Sequence, residues 1–119
     1  MEAVSYRLAS HGIATFRFQF PYMEAERKAP NPAPVLIDCV RSAVTEASRL
    51  VPDIPLVAGG KSMGGRMTSN AASRGLLPDV LGLAFFGFPL HAPGGSSTER
   101  ADHLYQINLP MLWESWYLI

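Results

Sequence analysis

A chain of 119 residues, 48% hydrophobic and 17% charged, suffices for one globular domain with a core and is too apolar for a disordered or fibrous segment. Ten Lys plus Arg balance ten Asp plus Glu, which excludes the excess positive charge that drives nucleic-acid binding through counterion release. The longest apolar stretch, LGLAFFGFPL at 81–90, is about half of a bilayer span, and MEAVSYRLAS at the start lacks a signal peptide's apolar centre, so a soluble cytoplasmic protein is expected.

Residues 2–10 read as a short helix, with Val4 and Leu8 one turn apart and Gly12 placed to end it in a left-handed conformation. IATFRFQF at 13–20 predicts a strand, because Phe16, Phe18 and Phe20 alternate with Thr15, Arg17 and Gln19 until Pro21 stops the ladder. PYMEAERKAPNPAP, with four prolines and a charge cluster, predicts a surface loop. A helix around 34–50 follows, its stripe formed by Leu36, Val40, Ala43, Ala47 and Leu50. Cys39 borders that stripe as a small buried filler, and as the only cysteine it excludes an intrachain disulfide or a cysteine-based metal cluster.

IPLVAGG at 54–60 is an apolar run of the kind covered on both faces of a sheet. GGRMTSNAASRG predicts a small-residue helix with Gly75 as terminator, DVLGLAFFGF at 79–88 a second buried strand, and PLHAPGGSS a loop. TERADHLYQ predicts a brief helix and LPMLW at 109–113 a last strand. Alternating helices and strands predict a single α/β domain with a mainly parallel sheet.

The chemistry concentrates in VAGGKSMGG, residues 57–65. A phosphate-binding loop ending in Gly60-Lys61-Ser62 would need a glycine at 55, where Pro55 offers no amide and cannot take a positive φ. Gly60-x-Ser62-x-Gly64 instead fits a nucleophile elbow, in which a strained serine sits at a strand-to-helix turn and its neighbours two before and two after must be nearly side-chain free. Such a turn lifts the Ser62 hydroxyl above the carboxyl edge of the sheet and aims the Met63 amide at developing negative charge on a substrate oxygen. A glycine-rich turn whose serine merely caps the next helix is the competing account. Lys61 is a candidate for orienting substrate, and Arg66 for a surface or helix-start contact. Three scattered histidines have no metal-ligand spacing, and no metal or cofactor is expected.

GIATFRFQFPYME, AGGKSMGGRMTS and FFGFPLHAPG, in this order, resemble the dienelactone-hydrolase-like α/β-hydrolases related to the testis-expressed and NSL-complex-subunit predicted hydrolases. The similarity covers roughly residues 1–112. It implies a three-layer α/β-hydrolase-like arrangement with Ser62 as nucleophile and the Met63 amide in the oxyanion hole. By the same resemblance, a strand and a His-Gly loop would precede residue 1, and the triad acid and histidine would follow the strand begun by LPMLW, so the sequence reads as truncated at both ends. The absent strand would lie between those at 13–20 and 54–59.

Among the residues present, Asp38, Asp53, Asp79 and Asp102 fall in helices or near strand starts, poorly placed for a triad acid. His11 sits at a helix end, and His103 is expected on an exposed helix face. His91 follows a strand on the elbow edge and is a candidate substrate contact. The expectation is therefore an incomplete serine hydrolase for a small-molecule acyl substrate, weakly active or inactive, prone to self-association through unpaired strand edges. The alternative is a non-catalytic interaction module on the same scaffold.

Overall fold

The computed structural model of the chain describes residues 2–89, 95 and 99–114. Helix α1 spans Glu2–Ser10, a single turn α2 spans Pro21–Glu24, and α3 runs from Ala33 to Leu50. Prolines open α2 and α3, where a fixed φ is already helical and a missing N–H removes no intrahelical bond. The stripe on α3 buries Leu36, Ile37, Val40 and Ala47, and each large apolar side chain so placed contributes about 1.5–3 kcal/mol.

Strands β1 (Leu56–Lys61), β2 (Val80–Phe86) and β3 (Met111–Glu114) form a parallel sheet in that order. Helix α4 (Met63–Ser73) links β1 to β2, and a 3₁₀ helix, η1 (Glu99–Gln106), precedes β3. α4 packs on β1 and β2 and also contacts α3 and η1, so it stands at the centre of the domain. Leu36, Val40, Met67, Ala71, Leu83, Phe85 and Phe88 close into one core around it. Past the end of α4, Gly75 takes φ 70°, and the amides of Gly75 and Leu76 bond the carbonyls of Ala72 and Ala71 at 3.0 Å each. This Schellman closure satisfies carbonyls the helix leaves open, and the same pair of bonds ends α1 at Gly12. The α/β class, the parallel sheet and most expected elements are thus present.

Three expectations are corrected. Residues 13–20 form no strand: they carry no regular secondary structure, with Phe16 and Phe18 exposed at 45% and 41% and only Phe20 buried at 6%. Alternation specifies which side chains face inward, but a strand also needs a neighbour to take its backbone bonds. Here the segment is tethered instead by side chains, with Thr15 Oγ1 2.5 Å from Ser5 Oγ and the Gln19 carbonyl 3.9 Å from Cys39 Sγ. Secondly, the stretch expected to be loop opens with α2, after which the Tyr22 amide donates to Asn31 Oδ1 at 2.8 Å.

Thirdly, β1 is covered on one face only. The row Gly60–Phe85–Trp113 faces α4, whereas Val57 and Leu112, on the opposite face, are 59% and 69% exposed. Among the described residues no second helical layer covers that face, and the outer edge of β1 pairs with nothing. No described helix is long and apolar enough to cross a membrane.

An apolar strand with an unpaired edge is a template for another chain. Sedimentation velocity is expected to show concentration-dependent association, and Val57→Lys, which charges that strand, is expected to shift the balance toward monomer. A compact monomer at every concentration would contradict this.

Candidate active site

The carboxyl ends of the strands line up: Lys61 is in register with Phe86, and Phe86 with Glu114. Ser62 follows at once, between the last residue of β1 and the first of α4, with φ 53° and ψ −119°. That conformation lies outside the regions L-residues ordinarily occupy and costs on the order of 1–3 kcal/mol. It is held by the sheet. The Ser62 amide donates to the carbonyls of Phe86 at 3.2 Å and Gly87 at 3.0 Å, while the Gly87 amide donates to the Glu114 carbonyl at 3.1 Å. On the other side the Ser62 carbonyl accepts the first intrahelical bond, from the Arg66 amide at 3.1 Å.

A capping serine would have extended torsions and an oxygen turned back to the helix amides. Ser62 has neither, and its side chain makes no capping bond. Its hydroxyl has no hydrogen-bond partner among the described residues. Met63, as the first residue of α4, carries an amide with no intrahelical acceptor, at the positive end of the helix dipole.

The turn is tight because β1 and α4 nearly touch. A Cβ at Gly60 would lie 2.7 Å from the Gly64 carbonyl carbon and 2.8 Å from the Gly65 nitrogen, so only glycine fits. The crowding expected at Gly64 falls one residue later. A Cβ at Gly64 would meet nothing within 4 Å, whereas one at Gly65 would lie 2.9 Å from the Gly60 oxygen and 3.0 Å from the Phe85 ring. The phase of α4 turns Gly65, not Gly64, toward the strand.

Lys61 is exposed at the end of β1, on the same edge as Ser62, and the strand continues to Lys61 without opening the wide turn a phosphate loop needs. Asp53 and Asp79 precede β1 and β2 at the opposite edge, and Asp38 and Asp102 are exposed on α3 and η1. The carboxylate that does reach the Ser62 edge is Glu114, which ends β3; its position as the last residue of the strand MLWE was the available signal. His91 lies outside the described residues.

His103 is half-buried rather than exposed. Its Nε2 lies 2.6 Å from Ser69 Oγ, and its ring packs 6.4 Å from that of Phe88. Ser69 donates its one hydroxyl hydrogen to the Arg66 carbonyl at 2.8 Å, so it accepts from a protonated Nε2. Ser69 is seven residues beyond Ser62, about 10 Å of helical rise, which places His103 away from the Ser62 hydroxyl. Burial, then the Arg66 and Arg74 charges, hold His103 below its ordinary pKa against a smaller opposing pull from Asp102. Arg66 is part-buried, and its Nε is enclosed without a hydrogen-bond partner among the described residues. Cys39 is only half-buried, but burial and the Glu24 and Asp38 carboxylates push its thiol up, away from the reactive thiolate.

Among the described residues no group of three His, Cys, Asp or Glu side chains is arranged to hold a metal ion. A model described as an alpha/beta hydrolase domain matches residues 1–115. No curated protein and no solved structure matches the chain.

Gly60→Ala is expected to destabilise the fold by about 1–3 kcal/mol in chemical denaturation, since the methyl group meets backbone. Gly64→Ala should be neutral or stabilising by up to about 1 kcal/mol, because the site is open and alanine favours helix. Equal losses would refute the assigned packing. His103 supplies a pH dependence. Its folded pKa lies below its ordinary 6.5, so the unfolded chain binds the proton first as pH falls. Stability from this group is complete above about pH 6.5 and declines below it, and His103→Gln should remove that part of a melting-temperature profile taken between about pH 7.5 and about pH 5.

Proposed function

The chain belongs to the α/β-hydrolase domain family, and on that premise we propose that it is a serine hydrolase acting on a small-molecule ester-like or related acyl substrate, with Ser62 as nucleophile. The observation that carries this reading is the Ser62 backbone: a positive φ at the strand-to-helix junction, with no capping bond to explain the serine. Strain of this kind persists where a side chain must be presented rather than packed.

In the proposed reaction the Ser62 oxygen attacks the carbonyl carbon, and the new C–O bond leaves a negative charge on the former carbonyl oxygen. The Met63 amide donates to that oxygen, where a preorganised hydrogen bond is worth more than in water. Collapse expels the leaving group, which takes up a proton, and water then releases the acyl group from Ser62. Lys61, exposed on the same edge, and His91 are the proposed substrate contacts. The hydroxyl proton needs an acceptor, and general-base assistance typically contributes about a hundred- to ten-thousandfold. No side chain among the described residues hydrogen-bonds the Ser62 hydroxyl, and the second reading is a scaffold that serves interaction without catalysis.

A fluorophosphonate probe separates the two. Under the hydrolase reading the chain is labelled, slowly if no base reaches the hydroxyl, and Ser62→Ala removes the labelling. Equal labelling of both proteins, with the mass shift on another residue, would leave the scaffold reading in place.

A further inference from the structure

Among the described elements, η1 packs chiefly on α4. The polar link between them is His103, whose Nε2–H donates at 2.6 Å to the hydroxyl of the fully buried Ser69. The imidazole also lies 6.4 Å from the Phe88 ring, and Phe88 in turn meets Trp113 of β3 at 5.4 Å. Only residues 107–110 separate η1 from β3, so a displacement of η1 is passed on to that strand. Carbonyls there hold the neighbouring strand: Pro110 accepts from the Leu83 amide at 2.9 Å and Glu114 from the Gly87 amide at 3.1 Å. The Gly87 carbonyl then receives the Ser62 amide at 3.0 Å, which completes a continuous set of contacts from His103 to the strained turn.

This position suits a neutral ring. Helix α4 carries no acidic residue, and the charges that act on His103 from its side are Arg66 and, just past the end of the helix, Arg74; Asp102 on η1 is the opposing charge. Glu99 and Arg100, the remaining charged residues of η1, have interactions of their own. A protonated ring keeps its bond to Ser69 but adds a further positive charge in a half-buried place, a penalty that release into water removes. We propose that the His103–Ser69 contact is an acid-released clamp, closed while the ring is neutral, that docks η1 and β3 and through Gly87 steadies the Ser62 turn. His103 is then a positioning residue that never touches substrate. The clamp deepens the hydrolase reading and rests on it only in that release acts on the proposed nucleophile; the clamp itself is a property of the packing.

Amide hydrogen exchange of the full chain, expressed as protection relative to the unfolded chain at each pH, locates the opening. The Leu83 and Gly87 amides are expected to lose protection as pH falls below about 6.5, by at most about tenfold per pH unit, the limit for one proton. The direction follows because burial, then Arg66 and Arg74, hold the docked ring below its ordinary pKa of 6.5, so the released form takes the proton first. At each pH these two amides should stay less protected than that of Ala71, inside α4, and respond less to low denaturant, the mark of a local opening. His103→Gln should abolish the acid step. Arg74→Gln should diminish it and Asp102→Asn enlarge it, both at exposed positions. The proposal is overturned by unchanged protection of Leu83 and Gly87 in acid, by exchange that matches Ala71 in protection and denaturant response, or by a step that survives in His103→Gln. If His103→Gln does not fold, the charge variants decide: a step moved in opposite directions supports the clamp, and one moved by neither refutes it. Ser62→Ala should keep the step even if fluorophosphonate labelling fails, so clamp and nucleophile are tested apart.

Discussion

The close approach of β1 and α4 at Gly60 governs the rest of the architecture. With Gly60 set against the Gly64–Gly65 backbone, the chain has one residue in which to turn from strand to helix, and that residue is Ser62. The strained torsion is local, but what sustains it is spread over the sheet. Two carbonyls at the end of β2 hold the Ser62 amide, and β3 in turn holds the Gly87 amide. The helix side is fixed by Met67 and Ala71, buried against Leu83 and Phe85 in the core. A cost of on the order of 1–3 kcal/mol is small beside such burial, which is why the conformation persists.

This arrangement also makes the site one-sided. β1 is hydrogen-bonded to β2 alone among the described residues, so the position of Ser62 is set by β2 beside it and α4 beneath it, with no strand on its other flank. Residues 13–20 pass by without joining the sheet. The ordered carboxyl edge and the open outer edge of β1 thus coexist in one strand: the first carries the strained Ser62 turn and the second presents unpaired backbone.

The sequence made legible what depends on neighbours in the chain. The Gly75 stop, the tight turn around Ser62 and most of the stripe on α3 follow from residues within a few positions: Leu36, Val40 and Ala47 are buried as expected, while Leu50, at the end of the helix, is exposed and Ile37 is buried in addition. Failures came where the deciding partner is distant. Phe16, Phe18 and Phe20 alternate as a strand should, yet no local pattern tells whether a neighbouring strand receives them. Gly64 and Gly65 are equivalent in sequence, and only the phase of α4 against β1 decides which must lack a side chain. The Ser69–His103 bond spans 34 positions and joins a helix to a 3₁₀ segment, so the histidine expected to be exposed is instead part of the packing.

The polar face of α4 connects these features. Ser62, Arg66, Ser69, Asn70 and Ser73 follow one another at helical spacing, and the last three direct side-chain bonds at carbonyls of their own helix. Those bonds consume polar groups locally and leave no demand on a ligand. Among the described residues the Ser62 side chain makes no capping bond, and the Arg66 Nε is enclosed without a hydrogen-bond partner. The two residues sit a single turn apart, next to amides that the helix start leaves unbonded. The row thus satisfies itself toward the end of α4, whereas at its start order comes from the main chain: the Ser62 amide is held by the carbonyls of Phe86 and Gly87, and the Ser62 carbonyl takes the first intrahelical bond from the Arg66 amide.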